Sequence, residues 1–295
     1  VPSLISGLGG ILDEEAPRLS DVPFEISPHL VREIRPAGDL RALADLVGRL
    51  RRQAPHIVHT HSSKAGMLGR TAAALAGVPV VLHSIHGWGF HPFQPAPVRW
   101  AYALAERLAA GVTTHWIAVS RANVDAGEAY GILTRRRCDV IRSGIRLEPF
   151  ARAARGGVLQ RELGLSGDVP LVGMVGCLKP QKAPEDFVRV AAAVRRARPE
   201  AHFVLAGDGT LRPAVERAVA EAGLEGRFHL LGWRRDPEAV IGSLAVLVLT
   251  SRHEGLPRVL PEAMAAGCPV VATAVDGSPE AVEDGVSGRL HPVGD

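Results

Sequence analysis

Cysteine is scarce in this chain: three in 295 residues, Cys138, Cys177 and Cys268, none in a CxxC spacing. An odd count without paired spacing argues against a disulfide framework and a zinc site, and it fits a reducing compartment, so a cytoplasmic location is expected. Aromatic residues make up 4% of the sequence. Stacking platforms for single-stranded nucleic acid are therefore few, and no nucleic-acid partner is expected. No apolar run approaches the roughly 18 residues that a membrane-spanning helix needs; the longest, at 244–250, has the length of a strand. Charge of one sign is also missing. Lysine and arginine number 34 against 31 aspartates and glutamates, a net charge of +3 with a pI near 9.0. That mild basic excess suits an anionic small molecule or the inner face of a membrane. No G-x-G-x-x-G joins a strand to a helix with an acidic residue about 20 positions on, which argues against a nicotinamide-dependent dehydrogenase.

What is present is alternation. Short β-branched runs alternate with longer alanine-rich amphipathic runs from end to end. In the first half, strands are predicted at 3–6, 56–60, 78–85, 116–119 and 139–142, and helices at 39–52, 66–76, 98–110 and 121–130. In the second half, strands are predicted at 171–175, 202–206, 228–231, 245–249 and 270–272, and helices at 184–197, 210–222, 236–243 and 258–266. Such alternation predicts an α/β fold of parallel sheets covered by helices. The segment 150–169 follows one complete series, precedes another and contains Gly156 and Gly157. It reads as an interdomain connection. The expected organisation is residues 1–150, a connection at 151–168, and residues 169–295: two Rossmann-like domains facing a cleft, with ligand at the carboxyl ends of the strands.

The most informative string is SRHEGLPRVLPEAMAAGCPVVAT. Glu254 and Glu262 lie eight apart, which on one helix would splay them by about 80°. Gly255 and Pro257 instead put Glu254 in a loop, and a helix is predicted to begin near Arg258, with Pro261 in its first turn and Gly267 past its end. Loop amides and a helix N-terminus together suit a diphosphate. A carboxylate on each side could accept hydroxyl hydrogen bonds from a sugar or ribose. Taken singly, each glutamate is ordinarily a solvated or dipole-favoured side chain; the complete string is what points to a site.

That string resembles the E-x7-E signature of family 4 of the retaining glycosyltransferases. The rest of the second half agrees in order. VGMVGCLKPQKAPEDFVRV resembles the family's strand, glycine-rich loop, lysine and helix. FVLAGDG, FHLLGW and VDGSPEAVEDGVSGRL resemble its following segments. The resemblance implies a GT-B fold and transfer of a sugar from a nucleoside-diphosphate sugar, a substrate, with no cofactor and no metal. By the same resemblance Lys182 contacts the diphosphate, Gly176 lets the backbone approach it, Gly255 and Leu256 offer amides, Glu254 and Glu262 bind sugar and ribose hydroxyls, and Gly232 lies near the base. The family often has arginine where this chain has Cys177, so one phosphate-binding cation is absent; either Lys179 or another basic group replaces it, or binding is weaker.

The first half carries HIVHTHSSKAGMLGR and VPVVLHSIHGWGFH. His59, His61, His83, His86 and His91 cluster in sequence, but no acidic or thiol ligand joins them at metal-site spacing, so most read as histidines packed at strand ends. By resemblance His86 faces the donor sugar, His61 and the SSKAG loop form a neighbouring rim, and Ser120 caps a helix. Ser143 and Arg146 stand where the family commonly has Asn and Asp, which weakens any role carried to them. Catalysis is thus expected from Glu254, His86 and Lys182, by a front-face route with retention of configuration, since no nucleophile for double displacement stands out. The acceptor is expected to be a glycan, a lipid-linked molecule or a small molecule, with envelope polysaccharide or glycolipid synthesis as context. Basic helices are candidates for peripheral docking on anionic lipid, although runs such as Arg135–Arg137 are ordinarily just solvated. The family's first strand and glycine-rich loop are expected upstream of Val1, and its closing helices beyond Asp295. Two alternatives remain open on the sequence: a nucleotide-sugar epimerase on the same architecture and a non-catalytic nucleotide-binding protein.

Overall fold

The structure, a computed structural model, describes residues 2–9, 21–153 and 157–295. Two compact units result: Val1–Val119 with Asn123–Ile141, and Ser120–Ala122 with Arg142–Asp295.

In the first unit, β1 (Leu4–Ser6) pairs in parallel with β2 (Phe24–Ile26). A second parallel sheet runs β3 (Ile57–His61), β4 (Val80–Ile85), β5 (His115–Ala118) and β6 (Cys138–Val140), in that order. The crossovers are α1 (Pro36–Gln53), α2 (Ser63–Leu75), α3 (Ala96–Ala110) and α4 (Arg121–Ala129). Leu46 and Leu50 of α1 pack with Ala72, Ala73 and Val81. Between α2 and α3 lies a buried ion pair: the Arg70 Nη2–H donates to Glu106 Oε2 at 2.5 Å. Arg70 also donates to the Gly66 carbonyl at 3.0 Å and to Thr113 Oγ1 at 3.3 Å, and its guanidinium stacks over the Trp116 ring at 5.0 Å. These partners satisfy the buried charge, without which an unpaired guanidinium would not be tolerated there.

The second unit holds one six-stranded sheet, all parallel, in the order β12-β11-β10-β7-β8-β9. Its strands are β7 (Leu171–Val175), β8 (His202–Ala206), β9 (Phe228–Gly232), β10 (Val246–Leu249), β11 (Val270–Thr273) and β12 (Arg289–His291). One face is covered by α7 (Pro184–Ala197) and α8 (Arg212–Glu221), with Phe187, Phe203 and Val215 buried between. The helix α7 begins on proline, carries Glu185 and Asp186 in its first turn and ends on Arg195 and Arg196, charges that suit its dipole. The opposite face is covered by α5 (Leu147–Ala153), α6 (Val158–Glu162), α9 (Pro237–Gly242) and α10 (Val259–Ala265), and α11 (Ser278–Ala281) precedes β12.

Residues 157–168, expected within a connection, pack into this second unit. Leu159 is fully buried, its N–H donates to Ser243 Oγ at 3.1 Å, and Gln160 Nε2 donates to the Ser243 carbonyl at 3.1 Å. Helices of seven and five residues are too short to show a periodic pattern, which is why they read as linker. The three-residue strands β2 and β12 and the four-residue α11 escaped for the same reason. No helix among the described residues is long and apolar enough to cross a membrane.

Candidate functional site

Because the six strands of the second sheet are parallel, their carboxyl ends all emerge on one edge. The loop after β7 carries Gly176 and Lys182, β9 ends on Gly232, the loop after β10 carries Glu254, Gly255 and Leu256, and the helix that follows carries Glu262. Edges of this kind are where parallel α/β sheets bind ligands.

At the centre of the edge, Lys182 Nζ donates to Glu254 Oε1. Glu254 is buried, at 8% exposure, contrary to the solvated side chain that an isolated glutamate would suggest. The Ser251 hydroxyl donates to the same Oε1 at 2.5 Å. The Glu254 N–H donates to Asp276 Oδ2 at 2.6 Å. Burial pushes the Asp276 carboxyl up, the Glu254 amide opposes this, and the nearby Glu254 charge adds to it. Asp276 has φ of 44°, a conformation aspartate tolerates better than most residues. The neighbouring loops are stitched together as well. The Arg252 N–H donates to the Gln181 carbonyl at 2.8 Å, and Gln181 Nε2 donates to the His253 carbonyl at 3.0 Å. Thr250 Oγ1 donates to the carbonyls of Lys182 and Ala183, each at 3.0 Å. The Lys182 stem runs beside Gly176, where an added Cβ would stand 3.7 Å from the lysine Cε.

Gly277 is a glycine for want of space. A Cβ there would fall 2.1 Å from the Gly255 carbonyl oxygen. The loop after β11 thus lies directly against the loop carrying Glu254. Glu262 sits in the first turn of α10, half-buried, with Arg258 Nη2 at 3.5 Å from Oε1. Burial pushes its carboxyl up and Arg258 offsets part of that. Gly232 adopts φ of 67° and accepts the Gly207 N–H at 2.7 Å.

Sequence reasoning thus names Lys182, Glu254 and Gly176, which the structure brings together, and Gly255, Leu256, Glu262 and Gly232, which it places on the same sheet edge. It misses Ser251 and Asp276, both bound directly to Glu254. The D-G dipeptide at Asp276 and Gly277 was the available signal, as a turn of left-handed conformation.

In the first unit His86 follows β4 and is exposed, with its Nε2 2.9 Å from His61 Nδ1. His59 Nε2 lies 2.8 Å from Ser84 Oγ, and the His59 and His61 rings are 4.4 Å apart. Partial desolvation of the rings lowers both pKa values, and the neighbouring imidazoles lower them further. His83 is the packed member: buried, 2.8 Å from Thr60 Oγ1, with its pKa pushed down to about 2, chiefly by burial. Three of the clustered histidines, His59, His61 and His86, are therefore exposed, contrary to the expectation that most are packed. His61 ends β3 and His86 follows β4, both at carboxyl ends of the sheet, whereas His59 lies in the middle of β3. No group of histidine, cysteine and acidic side chains among the described residues is arranged to hold a metal.

Two sequence families match the chain: the glycosyl transferase 4-like domain over residues 10–144 and glycosyl transferases group 1 over residues 169–295. The chain is 35% identical over 272 residues to the UDP-Gal:alpha-D-GlcNAc-diphosphoundecaprenol alpha-1,3-galactosyltransferase of Escherichia coli, covering 91% of this chain and 70% of that protein. It is 34% identical over 256 residues to the 2-deoxystreptamine glucosyltransferase of Streptomyces kanamyceticus, covering 80% of this chain and 64% of that protein. Among solved structures, Anabaena Alr3699/HepE in complex with UDP and glucose superposes with a TM-score of 0.78 at 24% identity, over 93% of this chain and 73% of that one. Sucrose-phosphate synthase from Thermosynechococcus elongatus does so with a TM-score of 0.75 at 20% identity, over 99% of this chain and 86% of that one. These matches define the class, a glycosyltransferase of GT-B fold. Within it the chain belongs to family 4 of the glycosyltransferases.

Proposed function

We propose that the protein moves a hexosyl group from a nucleoside-diphosphate sugar to an acceptor hydroxyl with retention of configuration, without a metal ion or other cofactor. The observation that carries this reading is the pairing of Lys182 with buried Glu254 on the carboxyl edge of the second sheet, in a chain of this family. In the reaction the Lys182 ammonium stabilises charge developing on the departing diphosphate, with help from amides of Gly255 and Leu256 and the close backbone at Gly176. Glu254 accepts hydroxyl hydrogen bonds from the donor sugar, and Glu262 from the ribose. His86 is assigned the orientation of the sugar, and Gly232 borders the base. The departing phosphate accepts the acceptor's proton on the same face of the sugar.

A uridine donor is supported by the UDP-sugar named for the Escherichia coli relative and the UDP bound in the Anabaena structure. That relative's acceptor is lipid-linked, which supports a lipid-linked glycan acceptor and a role in envelope polysaccharide or glycolipid synthesis, in the cytoplasm. The test is a thermal-shift panel of nucleoside diphosphates and their sugars, followed by transfer to a polyprenyl-diphosphate-linked sugar and NMR assignment of the product anomer. Stabilisation by UDP and an axial product anomer from an axial donor are expected, in the presence of EDTA. An inverted product overturns the retaining route, and indifference to every nucleotide overturns the site.

A further inference from the structure

The first unit presents a helix face that is both apolar and cationic. On α3, Ala103, Glu106 and Ala109 are buried. On the opposite side Trp100 is 55% exposed, Leu104 56% and Leu108 73%. These three lie at successive i, i+4 steps, and Arg107 falls in the same arc, so the four side chains share one stripe about 100° wide. The helix is flanked by exposed Phe93 before it and Val112 after it.

Along α3 and the segments that flank it in sequence, the exposed charges are basic. Between Ser84 and Val124 the sequence holds a single acidic residue, Glu106, and it is buried against Arg70. The Trp100 ring packs 5.2 Å from Tyr130 at the end of α4. From there the chain passes into the exposed 3-10 turn Arg135–Arg137. Arg137 lines one hollow together with Ala110 of α3 and Gly131, which sets the turn beside the helix's last residues. Of the acids near this turn, Asp125 and Glu128 are engaged by Arg135, and Asp139 lies 2.9 Å from His115 Nε2.

We propose that this face of α3 docks on a bilayer bearing anionic headgroups, with Trp100, Leu104 and Leu108 entering the headgroup boundary and Arg107, Arg136 and Arg137 facing phosphate. A tryptophan with two leucines at helical spacing and arginines alongside is the composition of an interfacial helix. A second copy of the chain fits less well, because two-fold pairing of this face would bring the same arginines against one another. The surface includes none of the residues proposed for the sugar-nucleotide site, and the inference does not depend on that reading.

The test is flotation of the purified protein with vesicles of phosphatidylcholine alone or mixed with phosphatidylglycerol. Wild type floats with the mixed vesicles, less so in high salt, and Trp100 fluorescence is quenched by brominated acyl chains. Trp100→Phe removes that quenching while flotation persists. Leu104→Glu with Leu108→Glu lowers vesicle affinity by roughly a hundredfold, in line with two apolar side chains withheld from the boundary. The melting temperature and the shift produced by UDP stay at wild-type values in that variant, which separates loss of docking from loss of fold or of the nucleotide site. Failure of wild type to float, or flotation indifferent to the two glutamates, overturns the proposal. So does a concentration-dependent dimer that the same glutamates abolish while vesicles are ignored.

Discussion

Glu254 is held by its own backbone: its N–H donates to Asp276 Oδ2 at 2.6 Å, across from the loop after β11. The carboxylate that pairs with Lys182 is therefore positioned by a second carboxylate, one whose burial raises its pKa. Asp276→Asn keeps an acceptor for the amide and is expected to retain most transfer activity, whereas Asp276→Ala is expected to lose about tenfold or more, the worth of a charge-assisted hydrogen bond to a buried amide. Ionised Asp276 is the stronger acceptor, so activity should fall as pH drops through its raised pKa, above the range of an ordinary aspartate. Asp276→Asn should remove that acidic limb. Rate profiles of the two proteins against pH check both statements, and a shared limb would refute the second.

Lys182→Ala and Glu254→Gln act on the proposed chemistry. Loss of one preorganised charge at a departing phosphate typically lowers turnover by about 10²–10³-fold. Lys182→Ala is expected to fall in that range, with weaker UDP binding, while Glu254→Gln discriminates among donor sugars more than among bare nucleotides. Initial rates and calorimetric titration with UDP and UDP-sugars measure the difference.

Gly277→Ala should disturb the site without touching any ligand. Its Cβ would fall 2.1 Å from the Gly255 carbonyl oxygen, backbone that cannot swing aside. A cost of about 1–3 kcal/mol is expected from such overpacking, together with reduced nucleotide affinity as the Glu254 loop is displaced. Denaturant melts and UDP titration of the variant check it.

Acid should loosen the first unit through His83. Its folded pKa of about 2 lies below its unfolded value, so the neutral ring's contribution is complete above about pH 6.5 and is lost progressively as pH falls below that. In that window stability should decline by up to about 1.4 kcal/mol per pH unit from this one group. His83→Gln should flatten the slope at some cost in packing, because the ring rests against Gly66. Thermal melts of both proteins between pH 7 and 4 give the comparison.

The long elements were legible because their periodicity is strong. β7, β8 and α7 coincide with their expected bounds, each bounded by a proline, a glycine or a sharp change of pattern. The site was legible where one string carried it, as with Glu254 and Glu262, and where Lys182 lies six residues after Gly176. Asp276 and Ser251 were not, because their part is set by how the loops after β10 and β11 meet in space, and no spacing along the chain encodes that. The helices at 147–153 and 158–162 are stabilised by burial of Phe150 and Leu159 rather than by an amphipathic stripe, so their sequence looks like a connection until the sheet beneath them is known.

The second sheet's strand order carries a kinetic consequence. β7, β8 and β9 are neighbours in sequence as well as in space, and so are β10, β11 and β12, but the two halves meet where Val172 faces Val246. That seam joins positions 74 residues apart (246 − 172), and closing so long a loop gives nothing back until both halves exist. During synthesis the first three strands must wait, with one long edge unsatisfied, until β10 has left the ribosome. That interval is when this half of the protein is most exposed to pairing with the wrong chain.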